Sequence, residues 1–315
     1  MILEFSQQLF LQFFQQLSLD IARAITFPDW IKPEAFSIGP LSVKWYGLSY
    51  IVGLFGAYFY ATRTSANQAV WQNHKAVGEA VLVPNKRMLE DLMFFSLIGI
   101  ILGGRIGFIL LYGLEDYVKD PIRILKVWEG GMAFHGGFLG VCVAAIYLAK
   151  SRKLKLMRVA DILAISAPIG IGLVRLANFV NQELYGRITD VPWAFIFTEN
   201  GFPLSPRHPS QLYEAFLEGA VIFSVLWFAS RKFKILTKPG LATGMFLAMY
   251  GGFRIFVEFF REPDATLIGP LTRGMTYSLP MLIIGVLVIL WAAKRASVTP
   301  EWPPEALKDK ADAHT

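Results

Sequence analysis

Apolar stretches of about 20 residues, the length needed to cross a bilayer core, recur along most of the chain and are separated by short polar loops. They predict helices over residues 43–62, 92–112, 133–150, 160–178, 212–230, 241–259 and 276–294. The expected fold is all-α, a polytopic integral membrane protein with about seven transmembrane helices. The fourth segment is the least regular, because Pro168 and several glycines interrupt it and Arg175 stands near its end. No internal repeat or long linker divides the chain, so 1–315 reads as a single membrane domain. Its parts are an N-terminal arm over 1–40, a core over 43–294 and a charged tail over 295–315. In the arm, Leu9, Phe10, Leu11, Phe13, Phe14 and Leu17 alternate with glutamines, which predicts a helix lying along the membrane interface. With no Lys or Arg before Arg23, the arm lacks the positive start of a cleavable signal peptide.

Composition agrees: 54% of the residues are hydrophobic and only 17% are charged, too apolar for most soluble domains of this length. The net charge of +6 does not point to nucleic acid, because the basic residues sit in alternate short loops and not on one face. Arg63, Lys75, Lys86 and Arg87 fall on one side, followed by Lys150, Arg152, Lys153, Lys155 and Arg158. Arg231, Lys232, Lys234, Lys238, Lys294 and Arg295 join them, whereas Lys119, Arg123 and Lys126 on the other side are diluted by acids. The positive-inside bias then sets the N-terminus outside and the C-terminus in the cytoplasm. The single cysteine, Cys142, lies in an apolar run and reads as a small core residue. No His, Asp, Glu or Cys set has metal-ligand spacing, so neither a metal nor a cofactor is expected.

Three arginines belong to no loop: Arg105, Arg175 and Arg254 fall inside predicted spans. A charge there costs at least about 2.5 kcal/mol on insertion scales, so each needs a partner or a task. With the orientation above, Tyr46, His135, Arg175 with Asn178, and Tyr250 with Arg254 and Glu258 all fall in the outer half of the membrane. Tyr250, Arg254, Glu258 and Arg261 are spaced by four, four and three, one stripe of a helix. Arg254 and Glu258 are either a self-neutralising pair or a guanidinium oriented to grip an anion. The run from Arg175 through Asn178, Asn181 and Glu183 to Gly186 is either a helix end with its glycine cap or a lipid-headgroup site. His135, followed by Gly136 and Gly137, is either a packing residue beside a helix-packing glycine surface or a group approached by substrate. The stretch Arg207-His208-Pro209-Ser210-Gln211-Leu212-Tyr213-Glu214 is explained by a helix start alone, with His208 a second-rank site residue. Arg105 reads as structural.

Five blocks resemble the bacterial prolipoprotein diacylglyceryl transferase family. They are Ser42-Val43-Lys44-Trp45-Tyr46-Gly47-Leu48, the His135-Gly136-Gly137 block, the run from Arg175 to Gly186, Arg207 to Glu214, and Phe253 to Arg261. They occur in order within a match from about Ile38 to Lys294, which omits only the arm and the tail. The pattern departs at Val174, where the family usually has glycine, and the arm before Phe27 is longer than usual. The resemblance implies transfer of a diacylglyceryl group from phosphatidylglycerol to the lipobox cysteine thiol of a prolipoprotein signal peptide. It implies a multi-pass protein of the bacterial cytoplasmic (inner) membrane, its site facing the outer leaflet. On the matching positions, Arg175 and Arg254 are expected to bind the phosphate and His135 to act as general base. Tyr46, Gly136, Gly137, Asn178, Glu183, Gly186, Tyr250, Glu258, Arg261 and His208 are expected around the substrate. A nucleotide-dependent lipid synthase would want an Asp-rich metal motif, and a transporter would want polar groups nearer the midplane; neither pattern is present.

Overall fold

The computed structural model describes residues 24–39, 41–71, 83–126, 130–198, 205–263, 269–295 and 297. The predicted interfacial helix near the N-terminus and most of the charged tail lie outside the described residues, as does Lys75. The described chain is mostly helical. A helix occupies each predicted apolar segment: α1 (Trp45–Ala66), α2 (Lys86–Lys119), α3 (Phe134–Ser151), α4 (Leu156–Val180), α5 (Ser210–Lys232), α6 (Leu241–Val257) and α7 (Arg273–Ala293). Five of them, α2 to α5 and α7, are long and apolar enough to cross a membrane. The α6 helix is apolar but has only 17 residues. In α1, tyrosines 46, 50, 58 and 60 and glycines 47, 53 and 56 dilute the apolar character.

Pro168 does not break α4, which runs unbroken from Leu156 to Val180. A proline forfeits one backbone donor, whereas a break in lipid would strand several polar groups with no water to take them. Local turns that depart from α geometry occur elsewhere: α2 contains a π-helical turn at Ile109–Gly113 and α5 another at Ala215–Val221. Five short strands among the described residues were not predicted. β1 (Ile25–Thr26) pairs in parallel with β4 (Phe195–Ile196), which pairs antiparallel with β5 (Pro206–Arg207). β2 (Glu34–Ile38) and β3 (Leu41–Lys44) form a separate hairpin. Two-residue strands carry too little alternation to be read from a sequence.

The chain divides into two units. One holds residues up to Gly53, Pro168–Ser224 and Leu247–Gly285, and the other holds Leu54–Ala167, Val225–Phe246 and the residues from Val286. In the second unit, α2 and α3 meet along glycines. A Cβ on Gly107 would lie 2.9 Å from the Gly136 Cα, and Gly136 and Gly140 similarly face the backbone of Gly103 and Gly99. Such backbone proximity is how helices associate where lipid supplies no hydrophobic drive. Gly136 is thus occupied in helix packing, one of the two readings its sequence context allows. Arg105, 3% exposed, donates to the backbone carbonyls of Ile124 (3.1 Å), Lys126 (3.1 Å) and Gly131 (3.3 Å), and to those of Arg123 and Gly130. It organises the loop after α2, in keeping with its structural reading.

Arg158 departs from its reading as a loop charge. It is fully buried, donates to the Leu236 carbonyl and lies 5.3 Å from the Trp71 ring. One turn on, Asp161 caps α6 from α4. Its carboxylate accepts from the Gly240 and Thr243 backbone N–H groups at 2.8 and 2.9 Å and from the Thr243 hydroxyl at 2.8 Å. Helix N-termini leave N–H groups unpaired, and a carboxylate satisfies them with favourable dipole interaction.

Candidate functional site

In the first unit, α4 and α5 come close enough for backbone contact. A Cβ on Gly219 would lie 2.7 Å from the Gly172 Cα. That approach sets Arg175, three residues after Gly172, against the carboxylates of α5. Arg175 Nε and Nη2 both lie 3.2 Å from Glu218 Oε2, and its Nη1 lies 3.3 Å from Glu214 Oε2. The other oxygen of Glu214 receives Arg254 Nη1 at 2.5 Å and Arg261 Nη1 at 3.0 Å. Arg254 also reaches Glu258 Oε1 through Nη2 at 2.5 Å. Glu258 is held in turn by the Thr272 hydroxyl at 2.5 Å, and the absent side chain of Gly274 leaves room for its carboxylate.

Three arginines, Arg175 from α4 and Arg254 and Arg261 from the end of α6 and the residues after it, therefore share one fully buried carboxylate, Glu214. With Glu218 and Glu258 the cluster holds three positive and three negative side chains. Buried charges persist when paired, and this set is paired by mutual neutralisation, although Glu214 Oε2 and Glu218 Oε1 accept no hydrogen bond among the described residues. The Arg175 and Arg254 side chains keep 16% and 13% of their surface exposed, while Glu214 and Glu218 keep none. Solvent thus reaches the two arginine side chains but not these two carboxylates. Tyr250, one turn before Arg254, interacts electrostatically with Arg175, Arg254, Glu214 and Glu218.

Beside this cluster the chain after α4 makes a tight polar turn. Asn178 donates to Glu183 Oε1 at 2.7 Å, and the Glu183 backbone N–H returns to the Asn178 carbonyl at 3.1 Å. Gln211 donates to the Glu183 carbonyl at 2.7 Å and the Ser210 hydroxyl to that of Leu184 at 3.0 Å, fastening the turn to the start of α5. Gln182 and Leu184 adopt left-handed backbone, at φ 52° and 60°. Such conformations are costly for non-glycine residues and persist where surroundings over-determine them. Tyr50, its hydroxyl 3.4 Å from that of Tyr46, stands close enough to feel Glu183 and Arg175.

Gly186 sits where two strands converge. Its N–H donates to the His208 carbonyl at 2.8 Å, and it bridges Arg261. A Cβ there would lie 2.5 Å from that carbonyl and 2.6 Å from the Phe260 carbonyl. Gly186→Ala is expected to cost about 1–3 kcal/mol of stability through overpacking, read as a lowered unfolding temperature in detergent.

The His208 side chain packs among aromatic residues. Its Nδ1 is 3.1 Å from the Tyr213 hydroxyl, which accepts from the Trp193 indole at 2.7 Å, and its ring packs 5.2 Å from Phe260. Burial pushes its imidazole below the usual histidine range, against the upward pull of Asp190. A lowered folded-state value means that the stability it contributes is present above the unfolded value and lost on acidification. Unfolding temperature should therefore fall as pH drops below about 6.5, and His208→Asn should flatten that slope.

His135 belongs to the other unit, exposed in the first turn of α3, with its ring 5.8 Å from that of Phe134. Gly137 follows in the same turn, where a Cβ would lie 3.5 Å from the Ile100 carbonyl, an ordinary contact. The candidates brought together are thus Tyr46, Arg175, Asn178, Glu183, Tyr250, Arg254, Glu258 and Arg261. Glu214 and Glu218 were missed as functional residues. The signal was present: they are four apart in an apolar span, and intramembrane carboxylates call for partners as arginines do.

Helices able to cross a membrane, with a six-member charged cluster buried between segments of α4, α5 and α6, define a polytopic membrane protein. The family model described as prolipoprotein diacylglyceryl transferase matches residues 33–291. Relatives named phosphatidylglycerol–prolipoprotein diacylglyceryl transferase include one from Brucella anthropi, 47% identical over 282 residues, covering 88% of this chain and 96% of the relative. Those from Brucella canis and Brucella ovis are 46% identical over 280 residues, with the same coverage. The chain belongs to the prolipoprotein diacylglyceryl transferase family.

Proposed function

We propose that this protein transfers the sn-1,2-diacylglyceryl group of phosphatidylglycerol to the lipobox cysteine of a prolipoprotein, the first step of bacterial lipoprotein maturation. The sulfur–carbon bond of a thioether forms as the carbon–oxygen bond to phosphate breaks, and glycerol 1-phosphate leaves. Family membership and the relatives' printed names support the activity. One structural observation supports the site: Arg175 and Arg254, from different helices, meet on the fully buried Glu214 while their own side chains stay partly exposed.

The departing phosphate gains negative charge, and preorganised cationic donors in a low-dielectric site stabilise such charge most. Each guanidinium has five N–H donors, more than its carboxylate partners take up. Arg175 and Arg254 are the phosphate ligands in this reading, held in place by Glu214, Glu218 and Glu258. Arg261 anchors the far side of Glu214. Tyr46, Asn178, Glu183, Gly186 and Tyr250 shape the headgroup pocket, and His208 stands at its rim. The attacking group is a thiolate, and an ordinary thiol has a pKa near 8.5, so a base is required. His135 takes that proton, imidazole titrating nearest neutral pH, with Gly137 beside it on the substrate side while Gly136 packs against α2. The acceptor thiol comes from the substrate and not from Cys142. The membrane domain spans 1–315 with seven helices across the bacterial inner membrane, N-terminus outside and C-terminus in the cytoplasm. Its site opens to the outer leaflet.

Incubating the purified protein with phosphatidylglycerol and a lipobox peptide should yield a peptide heavier by one diacylglyceryl group in mass spectrometry. An unmodified peptide from folded protein would refute the activity. His135→Asn should depress transfer most at lower pH, and a loss uniform across pH would assign His135 to binding.

A further inference from the structure

The β2–β3 hairpin carries an apolar face that nothing in the transfer reaction uses. Its register pairs Phe36 with Val43 and Ser37 with Ser42. Strand side chains alternate between faces, so Phe36, Ile38 and Val43 share one face and Ser37 and Ser42 the other. Phe36 is 49% and Ile38 65% exposed. A two-stranded hairpin is marginal in water by itself, and a face this apolar calls for a covering.

The chain's own continuity points to the covering. β3 runs directly into α1, whose first residue, Trp45, donates its backbone N–H to the Pro33 carbonyl at 3.0 Å. The hairpin is thereby tied to the end of a helix whose Tyr50, Ile51 and Val52 are turned outward. Trp30, 81% exposed, and Trp45 flank it, together with exposed Lys32 and Lys44. Exposed indoles concentrate at the headgroup level of a bilayer, and lysines there meet lipid phosphates.

We infer that the β2–β3 hairpin is a membrane-interface anchor, its Phe36–Ile38–Val43 face inserted among lipid headgroups and upper acyl chains beside the start of α1. The serine face looks to water. This rests on the membrane placement of the helices and is independent of the transferase reading.

The test uses full-length protein carrying Cys142→Ser, with one of Phe36→Cys, Ser37→Cys, Ile38→Cys or Ser42→Cys added. An environment-sensitive fluorophore is attached and the protein reconstituted in phosphatidylglycerol-containing vesicles. Probes at 36 and 38 should emit to the blue and lose intensity with brominated acyl chains, while probes at 37 and 42 should lose intensity with iodide. Iodide quenching at 36 and 38 equal to that at 37 and 42 would overturn the inference. So would shielding of 36 and 38 from both quenchers, which would assign the face to a protein covering such as residues 1–23. Either failure leaves thioether formation on the lipobox peptide unaffected, so the two readings fail separately.

Discussion

Arg254→Ala is expected to lower diacylglyceryl transfer by on the order of 10²–10³-fold, the usual loss when one preorganised donor to a developing anion is removed. Arg175→Ala should do the same. The fold should survive the Arg254 change, because both carboxylates it leaves keep other partners. Glu258 retains the Thr272 hydroxyl, and Glu214 retains Arg175 and Arg261. Arg254→Lys separates charge from geometry: a lysine keeps the positive charge but cannot span Glu214 and Glu258 as a fork does. It should recover only part of the activity. Peptide mass spectrometry on variants with unchanged chromatographic behaviour and unfolding temperature checks the series, and wild-type turnover in either alanine variant would remove the phosphate-clamp assignment.

Glu214→Ala should act on the fold first. Its carboxylate is fully buried and holds three guanidinium groups, so truncation leaves three cations without their common partner. Breaking a buried pair by deleting one member costs about 3–5 kcal/mol, and here three contacts go at once. Low folded yield and a sharply lower unfolding temperature in detergent are the expected results. Glu214→Gln, which keeps the shape and one acceptor oxygen, should be milder. A useful contrast is Glu262→Ala: that side chain is 49% exposed in its pair with Arg207, and such surface pairs contribute under about 1 kcal/mol. Equal losses at 214 and 262 would contradict the burial argument.

Legibility differed along the chain for physical reasons. The positions of α1 to α7 were readable because a bilayer imposes long apolar runs, a signal with a large length scale. Arg175 and Arg254 stood out because charge inside such runs is costly enough to require explanation. Glu258 could be assigned to Arg254 because i,i+4 pairing is local to one helix. The pairings of Glu214 and Glu218 are not local: their partners lie at residues 175, 254 and 261, and no periodicity links these positions. Arg158 looked like one more loop charge, yet it is buried against Trp71 and the Leu236 carbonyl, contacts across the sequence.

By itself the sequence determined a membrane-spanning helical protein, the rough limits of its helices and the residue types able to handle an anionic lipid. Those follow from the solvent: hydrocarbon sorts apolar from polar residues along a chain without regard to neighbours. Only the tertiary structure decided that three arginines share Glu214, that Gly186 lies between converging backbones, and that Gly136 is occupied in packing against α2. These depend on which helices approach within backbone contact. That choice is made by short-range packing and charge pairing between segments far apart in sequence.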